Sequence, residues 1–152
     1  MKLGRAVVTA SAGVVLASAA YGAEIAPNDV AFKDYTVSVS LTSVSGDPAE
    51  GAKVFADRKL GNCLACHQNS AMKNELFQGN VGPSLDGVAE RWQPAQLRAI
   101  VTDAKQVFGA GTIMPGFYSL HVGVDVRKDL VGKTILTAQQ VEDALAYLST
   151  LK

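Results

Sequence analysis

The sequence predicts a single, predominantly helical domain. The chain has 152 residues, which is enough for one hydrophobic core and too few to predict two domains. Three segments combine a helix start signal with apolar residues at helical spacing. No internal repeat, low-complexity tract or long linker divides the chain. We therefore expect one compact domain whose main elements are helices.

The first predicted helix covers about residues 48–59, in GDPAEGAKVFADRKLG. Asp47 is a good N-cap and Pro48 suits the first helical position. Glu50 stands three residues after the cap, as a capping box requires. The helix should end near Gly61, because glycine is common just after a helix.

Two later segments predict amphipathic helices. In RWQPAQLRAIVTDA, Pro94 suits a first turn, and apolar residues recur at i, i+3 and i+4: Leu97, Ile100 and Val101. In LTAQQVEDALAYLSTLK, Thr137 and Gln140 have the spacing of a capping box. Apolar residues follow them at helical spacing: Val141, Ala144, Leu145 and Leu148. We therefore expect a helix near the middle of the domain and another at its end.

An extended segment is predicted before the first helix, over residues 35–42. Apolar and polar residues alternate there, with the apolar positions at Tyr35, Val37, Val39 and Leu41. This period of two places the apolar side chains on one side of the segment. A shorter alternation, HVGVDV, lies within residues 117–135, and its pattern assigns no element to that region.

Residues 1–23 are predicted to be a secretory signal peptide. Lys2 and Arg5 precede the apolar run AVVTASAGVVLASAA, and the small-residue stretch AYGAE follows it. We expect cleavage near residues 20–23, a mature domain over residues 24–152 and a periplasmic location. An uncleaved anchor is the alternative, but the run is short for a membrane span, which needs about 20 apolar residues. No later segment reaches that length, so we expect no membrane span after cleavage.

The charge of the mature domain argues against nucleic-acid binding. Cleavage removes Lys2 and Arg5 from the 14 basic residues, which leaves twelve against 14 acidic residues. Nucleic-acid binding requires a basic face. We therefore expect no nucleic-acid partner.

The only two cysteines lie in GNCLACH, residues 61–67, with a histidine directly after the second. A disulfide suits an exported protein, and C-x-x-C also suits thioredoxin-like redox chemistry. A thioredoxin motif follows a strand in a βαβ pattern, however, whereas this motif follows a capped helix. A zinc site would need two more ligands at short spacing, and His121 is the only other histidine.

C-x-x-C-H is also the signature of covalent haem attachment. In one helical turn, Cys63, Cys66 and His67 share a face, because they stand at i, i+3 and i+4. The two thiols can then bond the haem vinyl groups while the imidazole points at the iron. Export agrees with this interpretation, since c-type haem is attached outside the cytoplasm. We therefore predict one covalent haem c.

A second iron ligand is predicted in the downstream stretch GAGTIMPGFY. We favour Met114, because Pro115 biases it to an extended backbone and the neighbouring glycines let a loop approach a flat cofactor. Met72 lies only five residues after His67, too near to reach the opposite face of the ring. His121 and an open iron site remain alternatives.

The chain resembles a small class I cytochrome c in GAKVF, CLACH, VGPSL, TIMPGFY and the final AYLSTLK. More closely, GNCLACH, GNVGPSLDGVAERW, QLRAIV, TIMPGFY and VEDALAYLSTLK resemble the monohaem X-subunit family of the bacterial sulfur-oxidation (Sox) system. The resemblance implies an all-α class I cytochrome c fold around the haem, with the extended segment ahead of it. The first and last helices would cross, with Gly51 and Phe55 of the first against Tyr147 of the last.

The resemblance also implies roles for residues around the haem. Cys63 and Cys66 become the thioether anchors, and His67 and Met114 become the two axial ligands. Pro83 matches the proline whose carbonyl accepts a hydrogen bond from the proximal imidazole; a plain turn is the alternative. Arg91 and Trp92 are candidates to hold the haem propionates, the alternative being a solvated helix start.

The resemblance further implies an electron-accepting subunit that forms a heterodimer with a haem-bearing A subunit. Together they act as an L-cysteine S-thiosulfotransferase: thiosulfate is conjugated oxidatively to a cysteine of a carrier protein, and electrons leave through haem to a downstream acceptor. We expect no catalytic residue in this chain, because both cysteines are used by haem and the sulfur chemistry then lies mainly on the partner. Phe117 and Tyr118 are candidate anchors for the partner, or they cover the haem.

Three alternatives remain at the level of the sequence. The chain could be a free monohaem electron shuttle, a haem enzyme with an open iron site, or a disulfide oxidoreductase without haem. A haem stain separates the last of these from the others, and a co-purifying haem partner separates the subunit from the shuttle.

Overall fold

The computed structural model describes residues 23–152, in which the regular secondary structure is helical. The α-helices are α1 (Pro48–Ala56), α2 (Val88–Arg91), α3 (Pro94–Phe108) and α4 (Ala138–Leu148). Short 3₁₀ turns lie in the connections, at Pro27–Asp29, Cys63–Ala65, Ser70–Met72 and Lys128–Leu130. Residues 1–22 of the predicted signal peptide lie outside the described residues. The predicted all-α fold is confirmed.

α1 begins where its N-cap predicts. The Asp47 carboxylate accepts a hydrogen bond from the amide of Ala49 at 2.7 Å. The predicted capping box does not form, because Glu50 pairs instead with Lys53 at 2.6 Å. The amide of Asp47 donates to Asp143 of α4 at 2.9 Å, so the start of α1 is tied to the last helix.

α1 ends at Ala56, earlier than the predicted residue 59. The carboxylate of Asp57 accepts a hydrogen bond from the amide of Lys59 at 2.7 Å. Such a local bond from a side chain to the backbone competes with helix formation. The chain therefore leaves the helix at Asp57 and turns toward the cysteine motif.

The first and last helices cross in direct contact, as predicted. A methyl group placed on Gly51 would lie 2.0 Å from the carbonyl oxygen of Asp143, so only glycine permits this approach. Beside the crossing, the rings of Phe55 and Tyr147 pack edge to face, with 5.0 Å between their centres. The crossing closes one side of the hydrophobic core.

The predicted capping box of α4 is present. Gln140 accepts from the amide of Thr137 at 2.9 Å, and the Thr137 hydroxyl accepts from the amide of Gln140 at 3.2 Å. At the start of α3, which the sequence analysis did not assign a cap, the Gln96 side chain accepts from the amide of Gln93 at 3.0 Å, and the amide of Gln96 donates to the backbone carbonyl of Gln93 at 2.9 Å. Both helices thus begin with their first backbone amides satisfied.

Residues 35–42 do not form the predicted alternating segment. Val37 and Leu41 are buried, whereas Tyr35 and Val39 are both 64% exposed. The amide of Val37 donates to Ala95 at the start of α3, and the amide of Leu41 donates to the Glu142 side chain of α4. The segment is held by isolated hydrogen bonds to α3 and α4 and not by a neighbouring strand. Its buried residues, Val37 and Leu41, are therefore four positions apart, whereas a strand would bury every second residue.

The hydrophobic core lies between α1, α3 and α4, and the segment around Val37 and Leu41 covers one side of it. Residues 117–135, whose structure the sequence left unassigned, contain the 3₁₀ turn Lys128–Leu130 and otherwise form loops. None of the helices in the described part of the chain is long and apolar enough to cross a membrane.

Candidate functional site

A largely apolar cavity opens beside the cysteine motif. Its volume is about 630 Å³, within the range of about 300–1,000 Å³ typical of small-molecule and cofactor sites. Its apolar walls come from all four α-helices and the connecting loops: Phe55, Leu85, Val88, Leu97, Ile100, Val101, Phe117, Leu136, Ala144 and Leu148. All seven site residues predicted from the sequence also line it: Cys63, Cys66, His67, Pro83, Arg91, Trp92 and Met114. The fold therefore brings the predicted residues to one place.

The cysteine motif forms a single tight turn. The amides of Cys66 and His67 both donate to the carbonyl oxygen of Cys63, at 3.1 and 3.0 Å. Asn62, which precedes the turn, has a left-handed backbone with φ of 48°. These contacts hold the two cysteines and the histidine on one helical turn, as their spacing predicts.

The environment of Cys63 does not suit a redox dithiol. Burial raises the pKa of its thiol to about 12. Reactive cysteines of disulfide oxidoreductases have a lowered pKa, because the thiolate is the nucleophile. The structure therefore gives no support to thioredoxin-like chemistry at this motif.

The imidazole of His67 is held by the loop after the motif. Its Nδ1 lies 2.7 Å from the carbonyl oxygen of Pro83, which can only accept, so Nδ1 carries the proton. Nε2 is then the nitrogen that remains available for a metal. This is the contact that the resemblance assigns to Pro83.

Gly82 is a site residue that the sequence analysis passed over. A methyl group placed on it would lie 2.3 Å from Cε1 of His67, so the backbone touches the flat imidazole directly. Its amide also donates to the carbonyl of Cys66 at 2.8 Å. The signal in the sequence was a glycine immediately before the proline in VGPSL.

Arg91 and Trp92 contribute to the cavity in different ways. The Arg91 guanidinium donates to the carbonyl oxygens of Ser84, at 2.6 Å, and Asp86. It thus braces the loop that follows Pro83. The Trp92 ring packs edge to face against Phe108, with 6.0 Å between their centres. The two side chains therefore shape the rim of the cavity at the start of α3.

Met114 is half-buried and lines the cavity. The other two candidate side chains, Met72 and His121, do not line it. Met72 packs against the hydrophobic core from the turn Ser70–Met72, and His121 is exposed in a loop. A methionine in the cavity supplies a soft thioether donor, of the kind that pairs with histidine in cytochromes c.

Phe117 and Tyr118 are not the surface anchors that the sequence suggested. They are only 7% and 3% exposed. Phe117 lines the cavity, in agreement with the alternative that it covers the cofactor. The Tyr118 hydroxyl lies 2.7 Å from the Glu24 carboxylate and 2.8 Å from the carbonyl of Ile25. The prediction failed because the segment before α1 folds back over this loop.

A comparison with protein families agrees with a haem site at the cysteine motif. The model of the cytochrome c family matches residues 48–152, which is more than half of the chain. The chain belongs to the cytochrome c family. Among curated protein sequences, none matches it significantly.

A solved structure is similar to this cytochrome over most of its length. One chain of the crystal structure of SoxXA from P. pantotrophus shares 43% sequence identity with it, at a TM-score of 0.79. The match covers 86% of this chain and 99% of that chain. The cytochrome is therefore a SoxX-like monohaem protein with the class I fold, and its cofactor is a covalently bound haem c.

The cavity fits this cofactor in its donor set as well as in its walls. Two thiols and an imidazole lie on one turn, and the imidazole nitrogen Nε2 is free of the hydrogen bond to Pro83. The thioether of Met114 lines the same apolar cavity. When bound there, haem supplies reversible transfer of one electron at its iron. The chain's own residues line the cavity with apolar side chains, hold the imidazole in one tautomer and place a thioether on the cavity wall, all of which favour such a centre.

Proposed function

We propose that this cytochrome is the electron-accepting subunit of a periplasmic complex that couples thiosulfate oxidatively to a cysteine of a carrier protein. The single observation that carries the proposal is the 43% identity to a chain of SoxXA, over 99% of that chain. Its partner is a haem-bearing A subunit, with which it forms a heterodimer. Electrons pass from this complex to a downstream acceptor. We infer that the enzyme is an L-cysteine S-thiosulfotransferase in which this chain is the electron-transfer subunit.

The proposed chemistry places the sulfur step outside this chain. The sulfane sulfur of thiosulfate forms a bond with the carrier's cysteine sulfur, the thiol proton leaves, and two electrons must be removed. The chain has only two cysteines, and both stand in the haem-binding motif. It therefore has no free thiol to act as the nucleophile, and its contribution is to accept the electrons one at a time and to pass each one to the downstream acceptor before it takes the next.

We further propose how the site residues hold the haem. Cys63 and Cys66 form the thioethers, and His67 and Met114 are the axial ligands. The position of all four on one cavity supports this assignment, as does the His67–Pro83 hydrogen bond. Arg91 and Trp92 contact the propionate side of the haem, which their place on the cavity rim supports.

The haem assignment is tested by substitution of the motif. Protein matured in a host able to attach haem should stay coloured on a denaturing gel. Cys63→Ser combined with Cys66→Ser should abolish the haem stain, because no thioether can form. If the doubly substituted protein retained covalent haem, the assignment of these cysteines would fail.

The ligand assignment is tested by the weak near-infrared band of the oxidised protein, which reports a bond from sulfur to iron. Met114→Ala should remove the band and open the iron to external ligands. Met72→Ala and His121→Ala are the matched controls and should keep it. Survival of the band in Met114→Ala would assign the second axial position to another residue.

The subunit assignment is tested by the state of the protein in native extract. We expect gel filtration to show a heterodimer with a second c-type cytochrome. The purified heterodimer should reduce its haem when given thiosulfate and the carrier protein. A chain found only as a monomer, at concentrations where a nanomolar complex persists, would favour the free electron shuttle instead.

A further inference from the structure

α3 contains a break at Asp103, whose backbone angles are φ −154° and ψ 96°. In an uninterrupted helix the amide of Lys105 would bond to the carbonyl of Val101. Here it donates instead to the Asp103 carboxylate, at 3.1 Å. The carboxylate thus takes the place of a backbone acceptor and allows the helix to open at this point.

The carbonyls released by the break hold the loop that carries Met114. The amide of Phe117 donates to the carbonyl of Val101 at 3.3 Å, and that of Tyr118 donates to the carbonyl of Thr102 at 3.0 Å. Backbone groups buried in this way need partners, so the break and the docked loop satisfy each other. The backbone amides at the end of the loop are therefore bound to the backbone carbonyls that α3 exposes at the break.

The same carboxylate also fits against the loop itself. A methyl group placed on Gly116 would lie 2.9 Å from Oδ1 of Asp103, so the loop backbone lies directly on the Asp103 side chain. Asp103 is only 9% exposed. A side chain at position 116 would have to displace the Asp103 carboxylate or Ser119, whose Cβ would lie 2.8 Å from the added methyl group.

Lys105 holds the other side of Met114. Its Nζ donates to the carbonyl oxygen of Thr112 at 3.0 Å and lies 3.5 Å from the carbonyl oxygen of Met114. Lys105 therefore contacts the loop backbone at and just before Met114. The carbonyls released at the Asp103 break bind the loop just after Met114. The loop is thus bound by Val101 and Thr102 before the break and by Lys105 after it.

We propose that Asp103 and Lys105 are positioning residues for the thioether of Met114. They hold the loop over residues 112–118 so that the sulfur is presented to the haem iron before the bond forms. Pre-organisation of this kind strengthens binding, because the loop is already ordered in the folded protein and loses little conformational entropy when the ligand bond forms. The inference rests on the proposed role of Met114 as axial ligand.

The test measures how well an external ligand displaces the thioether in the oxidised, haem-loaded chain. We expect Asp103→Ala to increase the apparent affinity for imidazole about tenfold, as loss of one or two hydrogen bonds would predict. Asp103→Asn keeps an Oδ1 acceptor for the Lys105 amide and should stay near the parent protein. Lys105→Met should show a smaller increase, and it replaces the first variant if Asp103→Ala does not fold. Asp129→Ala, at an exposed ion pair with Arg127, is the control and should change nothing.

The outcomes separate this inference from the proposed ligand. If Met114→Ala keeps the near-infrared band, the ligand assignment fails whatever Asp103 does. If Met114→Ala loses the band but Asp103→Ala and Lys105→Met leave the imidazole affinity unchanged, only the positioning role is overturned. A purely structural role would lower the free energy of unfolding in Asp103→Ala, which loses the acceptor for the Lys105 amide, and would leave imidazole binding to the folded protein as it was.

Discussion

At Gly82 the absence of a side chain lets the backbone lie directly against the imidazole of His67, the proposed haem ligand. The backbone there lies against the ring of His67, and the next residue, Pro83, accepts its hydrogen bond at 2.7 Å. If His67 ligates the iron as proposed, this bond would make the imidazole a better electron donor and would affect the reduction potential. A small residue can therefore affect the redox property of the site without touching iron.

We predict that Gly82→Ala raises the reduction potential of the haem and lowers the free energy of unfolding by about 1–3 kcal/mol. The added methyl must push the imidazole away from Pro83, which weakens the hydrogen bond. Redox titration and denaturant unfolding measure the two effects. Gly111→Ala is the control, because a methyl group there meets no atom within 4 Å. A Gly82→Ala protein with the parent's potential would show that the hydrogen bond survives or has no influence.

At the scale of elements, one buried ion pair connects the segment before α1 with two helices. Arg98 of α3 and Glu142 of α4 lie 2.8 Å apart, with side chains only 13% and 5% exposed. Arg98 also donates to the carbonyl of Val37, and the Glu142 carboxylate accepts from the amide of Leu41. Helix packing and the path of the N-terminal segment therefore depend on the same two side chains.

We predict that Arg98→Met lowers the free energy of unfolding by about 3–5 kcal/mol, because it leaves a buried carboxylate without its counter-ion. Chemical denaturation measures the change. Arg127→Met removes an arginine from an exposed pair, whose side chains are 62% and 63% exposed, and should change stability by less than about 1 kcal/mol. Equal losses of unfolding free energy in the two variants would mean that burial does not determine how much each ion pair contributes to stability.

At the scale of the whole molecule, the start of the described chain is joined to the loop that carries Met114. The Tyr118 hydroxyl bonds to Glu24 and Ile25, and the amide of Ile25 donates to the carbonyl of Leu41 at 2.9 Å. Burial, followed by the bond to Glu24, raises the pKa of Tyr118 well above its usual value. The phenol therefore stays protonated in the folded protein at pH values where it ionises in the unfolded chain.

The raised pKa predicts the sign of a pH effect. The contribution of Tyr118 to stability is fully present below about pH 10, the ordinary tyrosine pKa, and is lost as pH rises above it. Tyr118→Phe should lower the free energy of unfolding at neutral pH by about 1–2 kcal/mol, and it should lose less stability than the parent on going to alkaline pH. Denaturant unfolding at a series of pH values measures both. Tyr35→Phe, at a side chain that is 64% exposed, is the control; a parallel alkaline loss in the Tyr118→Phe protein and the parent would contradict the prediction.

The features that could be predicted from the sequence depend on residues close together in the chain. The start of α1 at Asp47, the capping box of α4 and the single turn of the cysteine motif all arise from contacts within four residues. The covalent chemistry of C-x-x-C-H is local in the same way, so the cofactor could be inferred before any fold was known. Met114 could be proposed as a ligand from the neighbouring glycines and proline, and the structure places it on the cavity wall.

The features that needed the tertiary structure join distant residues. Val37 and Leu41 turn inward because they meet α3 and α4, and Tyr118 is buried because Glu24 and Ile25 fold over it. At the break at Asp103, the carbonyls of Val101 and Thr102 accept hydrogen bonds from Phe117 and Tyr118, which follow Met114 in the loop, and no local sequence pattern predicts this arrangement. Periodicity and capping report the preferences of a short stretch of chain, whereas burial and released carbonyls depend on which partner the fold brings near. The sequence alone was therefore sufficient for the haem motif, and only the packed chain shows how the residues proposed as iron ligands are held.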